Sequence, residues 1–323
     1  MDARRAIGIA LAAFVLAAGN TARAADYPVK PIRIYVPYAP GGVGDLTVRI
    51  IAQKMGESLG QRLIIENRPG AGGTIAMKSV LDARADGYAL GEMGNGQAIA
   101  ATLFTHLPYD ILKDFSPVSV AASFPVLIAV SGASPYRSVG DVIAAARKNP
   151  GKLNLGAINP GSTQNLSAHL FGQLTGARFA IIPFRTTPDL VTALLRGDVD
   201  VGFDYLAGFE GGLADGKLRI IAASGETRDA RLKDVPTMQE SGLPQYVVTS
   251  WNGLTARAGT PPEIIRRLSA EVNRALAAPD VQAKARGLGI DARGSTPEEM
   301  QARLARDIAK WREVIDKAGI PKQ

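Results

Sequence analysis

The chain has 323 residues, 46% of them hydrophobic and 21% charged, which suits two domains or one large α/β domain and excludes a disordered or fibrous chain. It contains no cysteine and two histidines, His106 and His169, so disulfide frameworks, thiolate metal sites and cysteine nucleophiles are excluded, and little remains for Ser-His chemistry. The formal charge of +7 is mild and mixed with acids, as in Lys310-Trp311-Arg312-Glu313. That pattern argues against nucleic acid and leaves a general attraction for small anions.

Residues 1–24 have the three parts of a secretory signal: basic Arg4 and Arg5, an uncharged apolar stretch over 6–18, and small residues ending at Ala22-Arg23-Ala24. The apolar stretch is too short to span a bilayer. With no cysteine for a lipid anchor, a soluble protein exported to a bacterial periplasm is expected.

Ile32-Arg33-Ile34-Tyr35-Val36 alternates as a strand does. The turn 37–44 follows, and a helix opens at Asp45, carries Leu46, Ile50, Met55 and Leu59 on one face and stops at Gly60. Further expectations are a strand over 63–65, a loop over 66–73, a helix over 75–83 and a strand over 88–93. Two apolar runs, 118–122 and 126–130, lead to a connector at 131–135. A second α/β set then repeats the order: a helix capped by Ser138 and running to Lys148, a strand from Leu153, a polar turn 160–163 into a helix reaching Thr175, and a strand over 179–182. A helix over 190–195 and strands over 199–203 and 218–223 complete it. Such alternation predicts largely parallel sheets in two lobes. The C-terminal part is helical, and Thr260-Pro261-Pro262-Glu263 and Thr296-Pro297-Glu298-Glu299 both read as capping boxes. The last helix should end near Ala318, with Gly319 as its stop. No sequence repeat is evident.

Tyr38-Ala39-Pro40-Gly41-Gly42-Val43-Gly44-Asp45 is the most informative stretch. Glycines let backbone approach a ligand, and unpaired N–H groups at a helix start favour an anion. It matches neither a Walker loop nor Gly-x-Gly-x-x-Gly. Asp45 reads first as a helix cap and otherwise as a partner for a ligand amine or hydroxyl. Asn159-Pro160-Gly161-Ser162-Thr163-Gln164 places the same physics in the second half, so the two turns could face each other and hold the carboxylates of a small molecule. Ser162 or Thr163 could equally be only a cap. Asn95, after a strand, and Phe184, Arg185 and Asp204, at ends of second-half strands, sit where α/β sheets open onto a crevice. Arg185 could pair with a carboxylate or lie on the surface. The sequence carries no nucleophile elbow, HExxH or EF-hand pattern, so catalysis, metal and cofactor are not expected.

Many short stretches, taken in order, resemble one family. They include Tyr27-Pro28-Val29-Lys30-Pro31-Ile32-Arg33, Val36-Pro37-Tyr38-Ala39-Pro40-Gly41-Gly42 with Asp45, Glu66-Asn67-Arg68-Pro69-Gly70-Ala71-Gly72-Gly73, Asp86-Gly87-Tyr88, Leu107-Pro108-Tyr109-Asp110, Pro150-Gly151-Lys152-Leu153, Gly216-Lys217-Leu218-Arg219, Asp234-Val235-Pro236-Thr237 and Trp251-Asn252-Gly253. Along essentially all of its length after the signal, the chain resembles the Bug-type solute-binding proteins of tripartite tricarboxylate transporters. The resemblance implies a periplasmic-binding-protein type II fold, a clamshell of two α/β lobes joined by two crossover strands. Lobe one would span 25–128 and 252–323, and lobe two 129–251. It implies a small organic carboxylate held largely by backbone groups and waters at Tyr38, Pro40, Gly41, Gly42, Asp45, Ser162 and Thr163. It also implies membrane transporter subunits as partners of a monomer. Where many relatives carry a glycine after the second-lobe proline, this chain has Pro183-Phe184-Arg185-Thr186-Thr187, which moves side chains toward the cleft and argues against borrowing a relative's substrate. Presentation of the solute to a receptor kinase and a secreted enzyme on the same scaffold are the other readings.

Overall fold

The computed structural model describes residues 27–229 and 231–323; the expected signal, 1–24, lies outside them. Two five-stranded sheets organise the chain. The first contains β1 (Ile32–Val36), β2 (Leu63–Asn67), β3 (Ala89–Gly94), β4 (Phe115–Pro125) and β10 (Thr249–Arg257). The second contains β5 (Leu127–Ser131), β6 (Asn154–Ile158), β7 (Ala180–Phe184), β8 (Val201–Asp204) and β9 (Leu218–Ala223).

Their orders, β2-β1-β3-β10-β4 and β7-β6-β8-β5-β9, correspond strand for strand. In each, one strand runs against the rest: β10 pairs antiparallel with β3 and β4, and β5 with β8 and β9. Those reversed strands are the ones that enter a sheet directly from the other lobe. β4 passes to β5 through the single residue Val126, and β9 returns to β10 through 224–248. Leu127 and Ile128 therefore pair in the second sheet, while Thr249, Ser250 and Trp251 pair with β4 in the first.

The crossover helices follow the predicted alternation. In the first lobe they are α1 (Val43–Leu59), α2 (Thr74–Leu81) and α3 (Asn95–Leu103). The second lobe has α4 (Val139–Lys148), α5 (Thr163–Thr175), α6 (Thr187–Arg196) and α7 (Leu206–Ala214). α1 begins two residues before the expected Asp45, because Gly42 in extended conformation is its N-cap, and it ends on left-handed Gly60 as predicted. α3, α7 and β10 had no counterpart in the sequence reading. The short α3 and α7 are rich in glycine or alanine and lack a clear apolar stripe, and β10 is a buried strand whose pattern cannot be told from a core helix.

Helices α8 (Pro262–Ala277), α9 (Pro279–Gly287) and α10 (Pro297–Ala318) close the chain. Thr296 and Glu299 form the predicted capping box, and Gly319 ends α10 in left-handed conformation. Thr260, by contrast, does not cap α8. Its hydroxyl donates to the Arg257 carbonyl at 2.7 Å, and the helix starts one residue too late for a box, with Pro261 as N-cap. Among the described residues, no helix is long and apolar enough to cross a membrane.

α10 belongs to neither lobe alone. Its Trp311 indole donates to Asn95 Oδ1 of α3 at 2.7 Å, and the Val314 carbonyl accepts from Gln173 of α5 at 2.9 Å. Behind the crossovers, Trp251 donates to Asp307 at 2.6 Å, and Arg303 donates to Ser123 at 2.9 Å.

Candidate functional site

Five helix N-termini converge between the lobes, linked by side-chain contacts. Tyr38, in the β1–α1 turn, lays its ring across the first turn of α1 and carries its hydroxyl to α3: a Cβ at Gly44 would lie 2.9 Å from the ring, and one at Gly96 would lie 2.8 Å from the hydroxyl. Asn95, the first residue of α3, donates from Nδ2 to Thr163 Oγ1 at the start of α5, 2.6 Å away across the lobes. The Tyr205 hydroxyl, on the N-cap residue of α7, lies beside the Thr163 and Ser250 side chains. Asp204 accepts from Thr187, the first residue of α6, at 2.6 Å. Gly161 lies so close to Leu103 of the first lobe that a Cβ there would collide with it.

The two glycine turns have one design. In lobe one, the Gly41 N–H donates to Asp45 Oδ2 at 2.9 Å; in lobe two, the Gly161 N–H donates to Asn165 Oδ1 at 3.2 Å. Both glycines have positive φ, +92° and +77°, and the next residues, Gly42 and Ser162, are N-caps with nearly the same backbone angles. The shared pattern is Pro-Gly, then three residues, then Asp or Asn: Pro40-Gly41 to Asp45 and Pro160-Gly161 to Asn165. This corrects the expectation that no sequence repeat exists. The repeat is too short to stand out in composition, yet it sets both helix entries.

Asp45 is buried and wholly engaged by its own turn. It accepts from Gly41, from Arg49 at 2.8 Å and from Asn67 at 2.8 Å. Burial acts to raise its pKa, but these donors outweigh it and hold the carboxyl below its ordinary value. It sits at the third helical position, so it secures the turn from inside the helix. Asp204 has the matching task in lobe two: buried at the end of β8, it accepts from Gln164 at 3.0 Å, Thr187 at 2.6 Å and the Tyr205 N–H at 2.8 Å. There burial prevails and the carboxyl is shifted upward. Burial likewise pushes the Tyr205 phenol up to about 12, so it stays protonated.

Gly41, Gly42, Pro40 and Tyr38 form an exposed turn. No side chain caps α1, which leaves first-turn N–H groups for an anion. Ser162 caps α5 by accepting from Asn165 N at 3.1 Å, and its own hydroxyl donates to the Ile158 carbonyl. That proton is committed to backbone and has no base. Arg185 is exposed in the β7–α6 turn and makes no hydrogen bond or ion pair among the described residues. Phe184 stands apart from the others, packed in the second-lobe apolar cluster with its ring against Gly156. A separate cavity of about 490 Å³, lined by Arg49, Gln53, Gln61 and Ile65 among others, opens beside α1 and β2, and none of the predicted site residues lines it.

A family model described as the tripartite tricarboxylate transporter family receptor matches residues 47–320. The chain belongs to that receptor family. This receptor is 31% identical over 315 residues to protein BugT of Bordetella pertussis, covering 97% of this chain and 96% of that protein, in agreement with the Bug-type resemblance. Among solved structures, an R. palustris protein with adipate is 33% identical with a TM-score of 0.79, covering 92% of this chain and 99% of that one. MatC of Rhodopseudomonas palustris with bound malate is 32% identical with a TM-score of 0.74, covering 90% and 100%. The receptor thus has the two-lobe clamshell fold of periplasmic binding proteins.

Residues that flank the singled-out candidates, within stretches that the sequence marks only as strand ends and turns, complete these helix entries. Gln97 accepts from the Gly94 N–H at 2.7 Å and meets the Tyr38 hydroxyl; Gln164, Thr187 and Tyr205 surround Asp204. Their signal was the strand end, where residues just after β3, β7 and β8 turn into helix starts.

Proposed function

We propose that this receptor captures a small carboxylate-bearing solute between its lobes and presents it to the membrane subunits of a tripartite transporter, in the periplasm and without catalysis. The observation that carries the reading is the matched pair of Pro-Gly turns, each opening a helix toward the space bridged by Asn95, Thr163 and Tyr205. Helix N-termini with free N–H groups attract carboxylates without a fixed cation, and relatives of the same fold are known with adipate and malate. In this reading Tyr38, Pro40, Gly41 and Gly42 hold one end of the solute. Asn95, Ser162 and Thr163 hold the other, while Asp45 and Asp204 keep the two walls rigid. Arg185 reaches a second carboxylate from the rim, and Phe184 supports that rim from beneath. Solute bound by both walls favours the closed clamshell, because only that form contacts it from both sides.

A thermal-shift screen against dicarboxylates, tricarboxylates, amino acids and aromatic acids, followed by calorimetry, tests the reading. A ligand at about 100 times its dissociation constant adds roughly 2.7 kcal/mol. A carboxylate hit supports the proposal, and binding confined to non-acidic solutes overturns it. Arg185→Ala should weaken dicarboxylates about tenfold relative to monocarboxylates; equal effects on both would return Arg185 to a surface role.

A further inference from the structure

Beneath the first-lobe turn lies a carboxyl group that the fold leaves without a partner. Glu92, in the middle of β3, is fully buried, and among the described residues neither of its carboxyl oxygens has a hydrogen-bond partner. Its strand neighbour in the register is Leu254 of β10, and Asn252 stands opposite Gly94, so Glu92 and Asn252 are diagonal neighbours on one face. Asn252 Oδ1 is also buried without a partner. The Asn252 amide reaches toward the Gly44 carbonyl in the first turn of α1, at 3.5 Å. Three unpaired acceptors thus lie under the helix start that opens the first glycine turn. Buried polar atoms without partners are rare in native proteins and ask for an explanation.

The charges around Glu92 do not supply one. Tyr38 and Tyr205 flank the region, and both phenols are held protonated by burial. On α1, Asp45 is engaged by Arg49 and Asn67, and Lys54 pairs with Glu57 and Asp280. Arg33 of β1 pairs with Glu66, Arg257 of β10 donates to the Ala83 carbonyl, and Glu271 of α8 takes Ser58 and Arg274. Arg267 of α8 lies by Tyr27. Among the described residues no cation is directed at Glu92, and burial alone pushes its carboxyl up to about 8.

We propose that Glu92 couples solute capture to a proton: its neutral acid form permits a carboxylate at the first-lobe turn, and its ionised form repels one. The inference rests on the carboxylate reading of the cleft. It adds a titrating group that touches no solute and acts through the field beneath α1. Two like charges separated by a few residues' thickness of protein interact strongly enough to change affinity about tenfold or more. By linkage, solute binding then raises the proton affinity of Glu92, and the protein takes up a proton on binding near the point where Glu92 titrates.

Calorimetric titration with adipate, malate and other dicarboxylates at about pH 6.5 and about pH 9.5 tests this, together with Glu92→Gln. Affinity of the unaltered protein should fall about tenfold at the higher pH, and the Glu92→Gln variant should bind alike at both. Titrations of the unaltered protein in buffers of different ionisation heat provide a readout that needs no variant, because they should reveal proton uptake. Parallel pH profiles in both proteins, or no proton uptake, overturn the proposal while leaving carboxylate binding intact. Failure of every dicarboxylate to bind the unaltered protein overturns the carboxylate reading and this proposal with it.

Discussion

Gly41 and Gly42 are adjacent and alike in sequence, yet the structure gives them different duties. Gly41 has φ +92°, a region that costs an L-residue about 1–2 kcal/mol, so Gly41→Ala should lower stability by that amount in urea unfolding. Gly42 has φ −74°, and a Cβ there would meet nothing within 4 Å. Gly42→Val should therefore fold normally while weakening solute binding about tenfold or more, because its side chain stands where a carboxylate would approach the helix N–H groups. Unchanged affinity by calorimetry removes that turn from the site. Glu92 carries a stability prediction of its own. Its carboxyl is raised from 4.5 to about 8, so the folded state holds its proton more tightly than the unfolded chain does. Stability is then full below about pH 4.5 and declines as pH rises toward 8, by a few kcal/mol. Glu92→Gln should remove that decline from the denaturation midpoint measured across pH, whereas a decline that persists in the variant assigns it to other groups.

At the scale of elements, the site is an assembly of helix entries, and each entry is secured by a polar side chain borrowed from another element. Asn95 of α3 shows this best. Its amide donates to Thr163 of α5 and its oxygen accepts from Trp311 of α10, so three helices from distant parts of the chain meet on one buried side chain. Thr163→Val preserves shape but leaves the Asn95 N–H short of an acceptor. A loss of about 1–3 kcal/mol is expected, with weaker solute binding because the α5 entry is no longer held to α3. Stability within about 0.5 kcal/mol of the parent would show that the inter-lobe bond contributes little.

Over the whole molecule, the proposed closure would run through the two crossovers, and Ser224 ties them. Its hydroxyl accepts from the Val126 N–H at 2.8 Å and donates to the Val248 carbonyl, while its own backbone pairs with Val126 and Val248 at 2.9 Å. Ser224→Ala leaves the buried Val126 N–H and Val248 carbonyl without that partner and should cost about 1–3 kcal/mol. Small-angle scattering of the variant should show a smaller change on adding solute, since loosened crossovers transmit closure less well; an unchanged response places the hinge elsewhere. Behind the crossovers, Arg303, Asp307 and Lys310 of α10 grip Ser123, Trp251 and Val247. α10 thereby acts as a backing strip for both strands.

What the sequence by itself determined is the set of local decisions: strand and helix alternation, the stops at Gly60 and Gly319, the cap at Ser138, the box at Thr296, and the glycine turns as helix starts. Those follow from backbone sterics and from hydrogen bonds within a few residues, so the code for them is local. The Bug-type resemblance was legible too, because its motifs are mostly such turns. The tertiary structure alone decided that Asp45 faces its own turn, that Phe184 packs inward while Arg185 stays exposed, and that Thr260 leaves α8 uncapped. It also placed Asn95 on Thr163 and Trp311, and left Glu92 buried without a partner. Asn95 joins residues far apart in the chain, and the isolation of Glu92 depends on burial, neither of which a short stretch of sequence specifies; Asp45 and Thr260 chose among local partners that the sequence offered equally.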